Sequence, residues 1–216
     1  MELKYAIENR RSVRKYSDKI VDDDIICEII ESANYSPSAC NIQGWKFIII
    51  NDEKIKKKIV DEGGTSFIKD APILIAILYD NRTENIEYQD HIQSASAAIQ
   101  NMILTAYSHG IGSCWICHLP TKKKMREILN IPWNYDVIAC ISMGYPKKDV
   151  MIVERKKNIH DIISYNKFDF NEEVPSNIYP KLTIKRFMKN LYFRLPTFLK
   201  KMLKPLEDNL KKNFEN

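Results

Sequence analysis

The sequence predicts one α+β domain followed by an appended C-terminal segment. Short runs that are almost wholly apolar, bounded by polar residues, proline or glycine, are typical of buried strands. They alternate along the chain with segments in which apolar residues recur at the period of a helix. With 216 residues, of which 44% are hydrophobic, the chain is long enough for a single domain with its own core.

The first 50 residues are predicted to contain two helices and one strand. A short helix spans residues 2–9. Asp22 caps a second helix, because the apolar residues that follow it share one helical face: Ile25, Ile26, Ile29, Ile30 and Ala33. Residues 45–50 are predicted to form a strand, since all of them except Lys46 are apolar or aromatic.

Two more helices and a strand are predicted between residues 52 and 109. Asp52 opens a helix that turns three side chains inward, namely Ile55, Ile59 and Val60. The run 73–79 is apolar throughout and is typical of a buried strand. Gly110 ends the longest helix, over residues 88–109, whose apolar residues recur at helical spacing: Ile92, Ala95, Ile99, Met102, Ile103 and Ala106. This helix is predicted to be packed at the centre of the domain.

Three elements complete the predicted domain, a strand at 111–118, a helix at 122–129 and a strand at 137–143. Beyond the domain, residues 164–180 are polar, and Pro175 and Pro180 flank what is predicted to be a linker.

Two short segments carry the strongest chemical signals in the chain. Arg10-Arg11-Ser12-Val13-Arg14 concentrates three guanidinium groups and a hydroxyl, and guanidinium forks match phosphate oxygens. Ser36-Pro37-Ser38-Ala39-Cys40-Asn41-Ile42-Gln43 is rich in small residues and contains two side-chain amides that can pair with a flat heterocycle. Together they predict a phosphorylated, aromatic cofactor. For the arginines alone, a solvated surface is the alternative.

These segments resemble the FMN-dependent nitroreductases, whose arginine-serine-arginine clamp and Ser-Pro-Ser-x-x-Asn-x-Gln-x-Trp segment match here as far as Trp45. The likeness continues in Asp70-Ala71-Pro72, in residues 110–116 and in Gly144-Tyr145-Pro146, and it covers residues 1–163. It implies a nitroreductase-like fold, with a central, mostly antiparallel sheet flanked by helices. It also implies a homodimer whose two chains share the flavin sites.

The same resemblance implies which residues hold FMN. The phosphate and the polar edge of the ring would be bound by Arg10, Arg11, Ser12 and Arg14, with Arg155 and Lys157 closing the phosphate site. The partner chain would supply Pro37, Ser38, Ala39, Asn41 and Gln43. One strand segment would face the flavin ring and consists of Trp115, Ile116, Cys117 and His118. Its backbone N–H groups would donate toward N5 and O4 of the flavin. A donor at N5 stabilises the charge that accumulates on reduction.

The sequence departs from its relatives at two places in this predicted site. Relatives often have glycine or an acidic residue where Cys117 and His118 stand. At Gly63-Gly64 some relatives place an asparagine against the flavin pyrimidine, so this contact is either missing or made by Thr65 or Ser66.

The activity implied by the resemblance is electron transfer. NADH or NADPH would deliver hydride to flavin N5, and a small electrophile of the nitroaromatic or quinone type would take up the electrons. No catalytic side chain and no metal site is predicted, since the four histidines show no metal-ligand spacing. The alternatives are a flavoenzyme of the same fold that performs reductive dehalogenation or dehydrogenation, and a non-catalytic protein that binds flavin or a membrane surface.

Cys114-Trp115-Ile116-Cys117-His118 also spells the motif of covalent haem attachment and contains the spacing of thiol redox sites. Haem attachment would need export, for which the N-terminus shows no apolar signal, and a redox dithiol would sit at a helix N-terminus. The segment instead follows a Gly-x-Gly turn and is predicted to be a strand. Alternation then points Cys114 and Ile116 to one face and Trp115 and Cys117 to the other.

Charge and cysteine usage bound the location and the partners. Five cysteines, an odd number, favour reduced thiols and a cytoplasmic protein. Residues 181–204 contain eight Lys/Arg and no Asp/Glu, and apolar residues recur between them, so 181–216 is predicted to be a basic amphipathic helical extension. Either this extension packs on a partner subunit, or residues 181–210 bind an anionic membrane surface, which vesicle sedimentation would detect. Nucleic acid is the least favoured partner.

Overall fold

The computed structural model describes residues 1–82, 85, 87–148, 150–151, 153–170 and 184. The chain divides into two compact units, Met1–Glu154 and Arg155–Asn216. The described part of the second unit contains one 3₁₀ turn, Ile159–Asp161, at which the side chains of Asn158 and Asp161 form a capping box. Most of the predicted linker, 164–180, and of the predicted extension, 181–216, lies outside the described residues, so both stay predictions.

The described residues of the first unit form five α-helices and four strands. The helices are α1 (Leu3–Asn9), α2 (Asp23–Asn34), α3 (Glu53–Asp61), α4 (Asp90–Ser108) and α5 (Lys122–Leu129). The strands are β1 (Trp45–Ile50), β2 (Ile73–Asp80), β3 (Gly112–Ile116) and β4 (Tyr135–Gly144).

The four strands form one sheet in the order β1-β2-β4-β3, and every neighbouring pair is antiparallel. β2 and β4 lie in the centre, and a register shift between Ile77 and Leu78 marks a bulge between them. β1 and β3 are therefore the two edges of the sheet. The predicted antiparallel sheet flanked by helices is confirmed.

Local sequence signals explain most element bounds. β1 and α5 begin and end where the sequence predicts, and Asp52 caps α3 by accepting a hydrogen bond of 2.7 Å from the backbone N–H of Lys54. The prediction for β3, residues 111–118, is wrong at both ends, because the strand runs from Gly112 to Ile116. Ile116, opposite Cys140 of β4, is the last paired residue, so Cys117 and His118 lie beyond the strand.

The prediction for β4 is wrong at both ends, because the strand starts at Tyr135 and runs to Gly144. Tyr135 and Asp136 pair with the last two residues of β2, Asp80 and Tyr79. Cross-strand pairing therefore outweighs the low intrinsic strand preference of aspartate.

Each face of the sheet is covered by a separate apolar cluster. On one face, α2 and α4 pack on the side chains of Ile73, Ile75, Ile77 and Tyr79 from β2. On the other face, Leu74, Ala76 and Leu78 pack with residues of α3 and α5, including Ile59 and Met125. Because both faces are covered, β2 is apolar at seven successive positions rather than at alternate ones.

Helix α4 is the packed central helix that the periodicity predicts. Seven of its residues are buried: Ser94, Ala95, Ala98, Ile99, Met102, Ile103 and Ala106. Several further apolar side chains of α4 are only partly buried, namely Ile92, Leu104 and Tyr107. The helix therefore has more apolar surface than the sheet of one chain covers.

Within the part of the chain that the structure describes, no helix is long and apolar enough to cross a membrane. Nor does that part bring together three or more His, Cys, Asp or Glu side chains in a group suited to a metal ion.

Candidate functional site

The arginine clamp, residues 10–14, lies along the edge strand β3. Ser12 forms a parallel β-bridge with Ser113, and the backbone N–H of Val13 donates to the carbonyl of Ser113 over 2.9 Å. The close approach requires a glycine at position 112, since a Cβ there would lie 2.7 Å from Cγ2 of Val13. The backbone of the clamp is thus held by the sheet edge.

The polar side chains of the clamp influence the thiol of Cys114 in β3. Extended backbone puts Arg10, Ser12 and Arg14 on one side and Val13 on the other, where Val13 is buried. Burial raises the pKa of the Cys114 thiol. The positive charge of Arg14, a hydrogen bond from the Ser12 hydroxyl and the positive charge of Arg10 each lower this pKa and so partly oppose the rise. Arg14 and Ser12 are exposed, so their donors are accessible to a ligand.

A cationic pocket of about 310 Å³ adjoins the clamp. Its charged lining residues are Arg10, Arg11 and Lys148. Among the described residues that line this pocket, none is aspartate or glutamate. Arg11 is held in place by α1, since its Nη1 donates to the carbonyls of Glu8 and Arg10 over 2.7 and 2.8 Å. The clamp and this pocket offer the charge and the donors that a phosphate requires.

A second wall beside the clamp comes from the end of β3 and from residues 64–67. The backbone N–H of Thr65 donates to the carbonyl of His118 over 3.3 Å, and the Arg14 guanidinium lies 5.8 Å from the ring centre of Phe67. The structure thus brings the predicted ring-facing residues Ile116, Cys117 and His118 next to the clamp. The sequence did not predict a role for Phe67. It indicated only that the neighbouring residues Thr65 or Ser66 could contact the flavin in place of the asparagine that some relatives have at Gly63-Gly64.

Strand alternation separates Trp115 from its neighbours. Cys114 and Ile116 pack in the cluster that contains α3 and α5, whereas the Trp115 side chain packs against the cluster of the opposite face. The Nε1 atom of Trp115 is buried and has no hydrogen-bond partner among the described residues. Only the backbone of Trp115 is therefore placed to face a ligand beside the clamp.

The segment that contains Pro37, Ser38, Ala39, Asn41 and Gln43 lies immediately before β1. Its fold is fixed by local bonds: the Ser38 hydroxyl accepts from the Gln43 backbone over 3.1 Å, and the Gln43 amide donates to the Asn41 side chain over 2.7 Å. Cys40, Asn41 and Gln43 have φ values of 49°, 54° and 51°, a left-handed conformation that is costly for residues other than glycine. The segment holds an exposed, strained turn, as is common at ligand sites.

One chain keeps this segment and the clamp apart. The segment leads into β1 at one edge of the sheet, whereas the clamp lies on β3 at the other edge. Three strand spacings separate the edges, which amounts to about 14 Å. The sequence predicts the two segments in one site, and within one chain they lie at opposite edges of the sheet.

Arg155 and Lys157 belong to the second compact unit and are exposed. Their predicted role in closing the phosphate site stays a prediction.

The donor set of the clamp fits FMN. Arginine forks and a hydroxyl suit a phosphate dianion, and the backbone beyond Ile116, where strand pairing has ended, keeps N–H groups that a flat ring with acceptor atoms can use. The clamp and the backbone beyond Ile116, which could hold the cofactor, therefore lie together at the β3 edge of an antiparallel sheet. The fold and the site define an α+β protein suited to a phosphorylated, planar cofactor.

Comparisons with known proteins identify the family. The sequence pattern that describes the Nitroreductase family matches residues 7–63 and 60–145. A protein of Archaeoglobus fulgidus, with the provisional name NADH dehydrogenase/NAD(P)H nitroreductase, is 37% identical over 148 residues, which are 66% of this chain and 84% of that protein. The chain belongs to the nitroreductase family.

Two further relatives show the range of that family. The solved structure of an FMN-dependent nitroreductase from Clostridium difficile superposes with a TM-score of 0.65 at 28% identity, and it covers 76% of this chain and 98% of that one. An iodotyrosine deiodinase of Haliscomenobacter hydrossis is 24% identical over 192 residues, 74% of this chain and 86% of that protein.

Replacing Cys117 with serine is expected to change turnover by no more than a few-fold. Cys114 is buried, Cys117 is exposed and both are free thiols, so the structure holds no bridge between them. The measurement is the rate at which the FMN-loaded Cys117→Ser variant reduces 1,4-benzoquinone with NADPH, compared with the parent. Near-total loss of turnover with flavin still bound would show direct thiol chemistry instead.

Proposed function

We propose that this chain is an FMN-dependent oxidoreductase that transfers electrons from NADH or NADPH to a small electrophilic acceptor of the nitroaromatic or quinone type. The observation that carries the proposal is the position of the clamp, which lies against β3 beside the backbone of residues 116–118. When bound, FMN would take two electrons from the nicotinamide and pass them to the acceptor.

The chain's own residues bind and orient the cofactor. Arg10 and Ser12 would hold the phosphate, and Arg14, which also lies against Phe67, would hold the polar edge of the ring. Backbone N–H groups of Cys117 and His118 would donate to the ring where negative charge develops. Fixed donors of this kind cost little reorganisation during electron transfer, so no side chain needs to act as an acid or base.

The proposed site needs two copies of the chain. This is supported by the separation of the clamp from the Pro37–Gln43 segment at opposite sheet edges. It is also supported by exposed apolar side chains on α1 that a partner would cover, namely Leu3, Tyr5 and Ile7. A homodimer related by a two-fold axis would form two such sites.

An anaerobic titration tests this function. We expect the purified chain to hold FMN, to lose its flavin absorbance when NADH or NADPH is added without a partner protein, and to recover it on addition of 1,4-benzoquinone or nitrobenzene. A chain that takes up no FMN would refute the proposal. Flavin that binds but is not reduced by either nucleotide would favour a flavoenzyme of other redox chemistry or a non-catalytic flavin protein.

A further inference from the structure

A second cavity of about 310 Å³, which we call the α4 pocket, lies between the Pro37–Gln43 segment, the end of β2 and the start of α4. Its described lining residues are Ala39, Ile42, Tyr79, Asp80, Arg82, Asp90, His91 and Ser94. None of these side chains has a role in the function proposed above, except that Ala39 belongs to the segment expected to contact flavin.

The pocket is tied to that segment by a fixed hydrogen-bond chain. The hydroxyl of Ser94 accepts from the backbone N–H of Ala39 over 3.0 Å and donates to the carbonyl of Asp90 over 2.8 Å. Ser94 itself is buried. These two bonds connect the first turn of α4 to the segment expected to contact flavin, so a ligand that lies beside Ala39 also borders the α4 pocket.

The two walls of the pocket differ in chemistry. One is apolar and includes Ile42, whose side chain is 58% exposed, and Tyr79. The other wall contains Arg82, whose Nε donates to Asp80 Oδ1 over 2.9 Å and whose Nη2 donates to Asp80 Oδ2 over 2.5 Å. These bonds lower the pKa of the Asp80 carboxyl to about 2. Asp80 is thus charged and already bound by Arg82. The Arg82 side chain is 64% exposed, and its Nη1 group remains as a donor on the edge of the guanidinium that does not face Asp80.

His91 adds a polar group that the protein alone does not use. Its Nδ1 is shielded from water and has no hydrogen-bond partner among the described residues. A buried polar atom without a partner is costly. His91 also lines the pocket, and because the χ2 torsion of histidine is broad and two-fold, a half-turn of its ring would exchange the sides on which its two nitrogens lie.

The charges of the pocket limit the ligand. Asp90 contributes a carboxylate to the lining, which disfavours an anionic ligand by like-charge repulsion. Arg82 and His91 offer donors, so the group they suit is an uncharged oxygen acceptor. The apolar wall suits the face of an aromatic ring.

We propose that the α4 pocket receives the far oxygen of a two-ended acceptor, such as a para-quinone or a dinitroarene, whose other end lies over the flavin. The inference rests on the proposed function, with the flavin held by the clamp of the second copy. The ring of the acceptor lies along Ile42, and Arg82 and His91 donate to its far oxygen. An acceptor with one oxygen-bearing end, such as nitrobenzene, makes no use of these donors.

The test compares matched one-ended and two-ended probes on the FMN-loaded full chain. Hydroquinone and phenol are titrated into the oxidised protein, and their dissociation constants are read from the change in the flavin spectrum. We expect His91→Leu to weaken hydroquinone binding about three- to tenfold, the loss expected for one hydrogen bond between uncharged groups, and to leave phenol within about twofold. His91→Asn, which keeps a donor, should retain most of the hydroquinone affinity.

The kcat/KM values for 1,4-dinitrobenzene and nitrobenzene should show the same selective loss. His109→Gln is the matched control, because His109 lies at the other end of α4 and pairs with Glu28 outside the pocket. If His91→Leu loses its flavin, Arg82→Leu, which also removes a donor, replaces it, and the same selective loss of the two-ended probe is expected.

Equal changes for both probes, or no change, with flavin and its reduction intact would overturn the pocket assignment and leave the proposed function standing. A parent protein that takes up no FMN would overturn both.

Discussion

Mixing two flavin-deficient variants is expected to restore FMN binding to about a quarter of the sites. One variant carries Arg10→Ala and Arg14→Ala, and the other carries Ala39→Glu, which puts a charged side chain on the Pro37–Gln43 segment. If the clamp and the segment come from different chains, each mixed dimer has one site in which both parts are intact. When equal amounts of the two variants pair at random, about half of the dimers are mixed. Each mixed dimer has one complete site of its two, so about a quarter of all sites can bind FMN.

The structural reason for this expectation is the strand order. Because β1 and β3 are opposite edges of the sheet, Ala39 and the clamp of the same chain lie on opposite sides of the paired central strands β2 and β4. The measurement is FMN retained per chain after the variants are unfolded together and refolded with excess cofactor. Each variant alone should keep the unfolding temperature of the flavin-free parent.

A matched control for the mixing experiment refolds the chain that carries Arg10→Ala and Arg14→Ala with a chain that carries both of these substitutions and Ala39→Glu. Every site in their mixed dimer contains one damaged clamp, so no intact site forms. If the mixture of clamp and segment variants restores no more flavin than this control, the two-chain site is wrong. Asn41→Ala replaces Ala39→Glu if the latter fails to fold.

Loss of a single clamp arginine is expected to raise the dissociation constant for FMN by one to two orders of magnitude. A hydrogen bond to a charged group contributes about 1.5–3 kcal/mol, and about 1.4 kcal/mol corresponds to a tenfold change in affinity. Arg10→Ala and Arg14→Ala are measured separately, by flavin fluorescence during titration of the flavin-free protein. The two losses need not add, because both arginines act electrostatically on the same group, the thiol of Cys114.

Lys15→Ala is the control for the clamp variants. Lys15 is the next residue along the chain and is exposed, and its carbonyl accepts from the Lys147 backbone, a bond that the substitution keeps. It removes one positive charge without removing a clamp donor. Unchanged FMN affinity in both arginine variants would show that the clamp does not hold the phosphate. An equal loss in Lys15→Ala would show that general positive charge rather than the clamp geometry holds it.

The parts of the fold that the sequence predicts well are those encoded by short-range patterns. The apolar stripe of α2 and the capping of α3 by Asp52 each depend on residues within a few turns of one another. The ends of β3 and β4 were not predictable in this way. They depend on which residue faces which across the sheet, such as Ile116 opposite Cys140, and that pairing joins residues far apart in the chain.

The candidate site divides in the same manner. The residue types needed for a phosphate and a flat ring are visible in the Arg10–Arg14 and Ser36–Gln43 segments themselves, because guanidinium forks, amides and small residues carry that chemistry wherever they are placed. Nothing in the sequence indicated that Phe67 would lie beside Arg14, or that Arg82 and His91 would border the same cavity.

The sequence by itself therefore determined the helices, the strands and the chemistry of the two segments, since each of these follows from side chains close together along the chain. Only the tertiary structure decided that the clamp lies on β3, that the Pro37–Gln43 segment lies before β1 and that β2 and β4 separate them. Strand order results from the packing of α2, α4, α3 and α5 on the two faces of the sheet, which is a property of the whole chain.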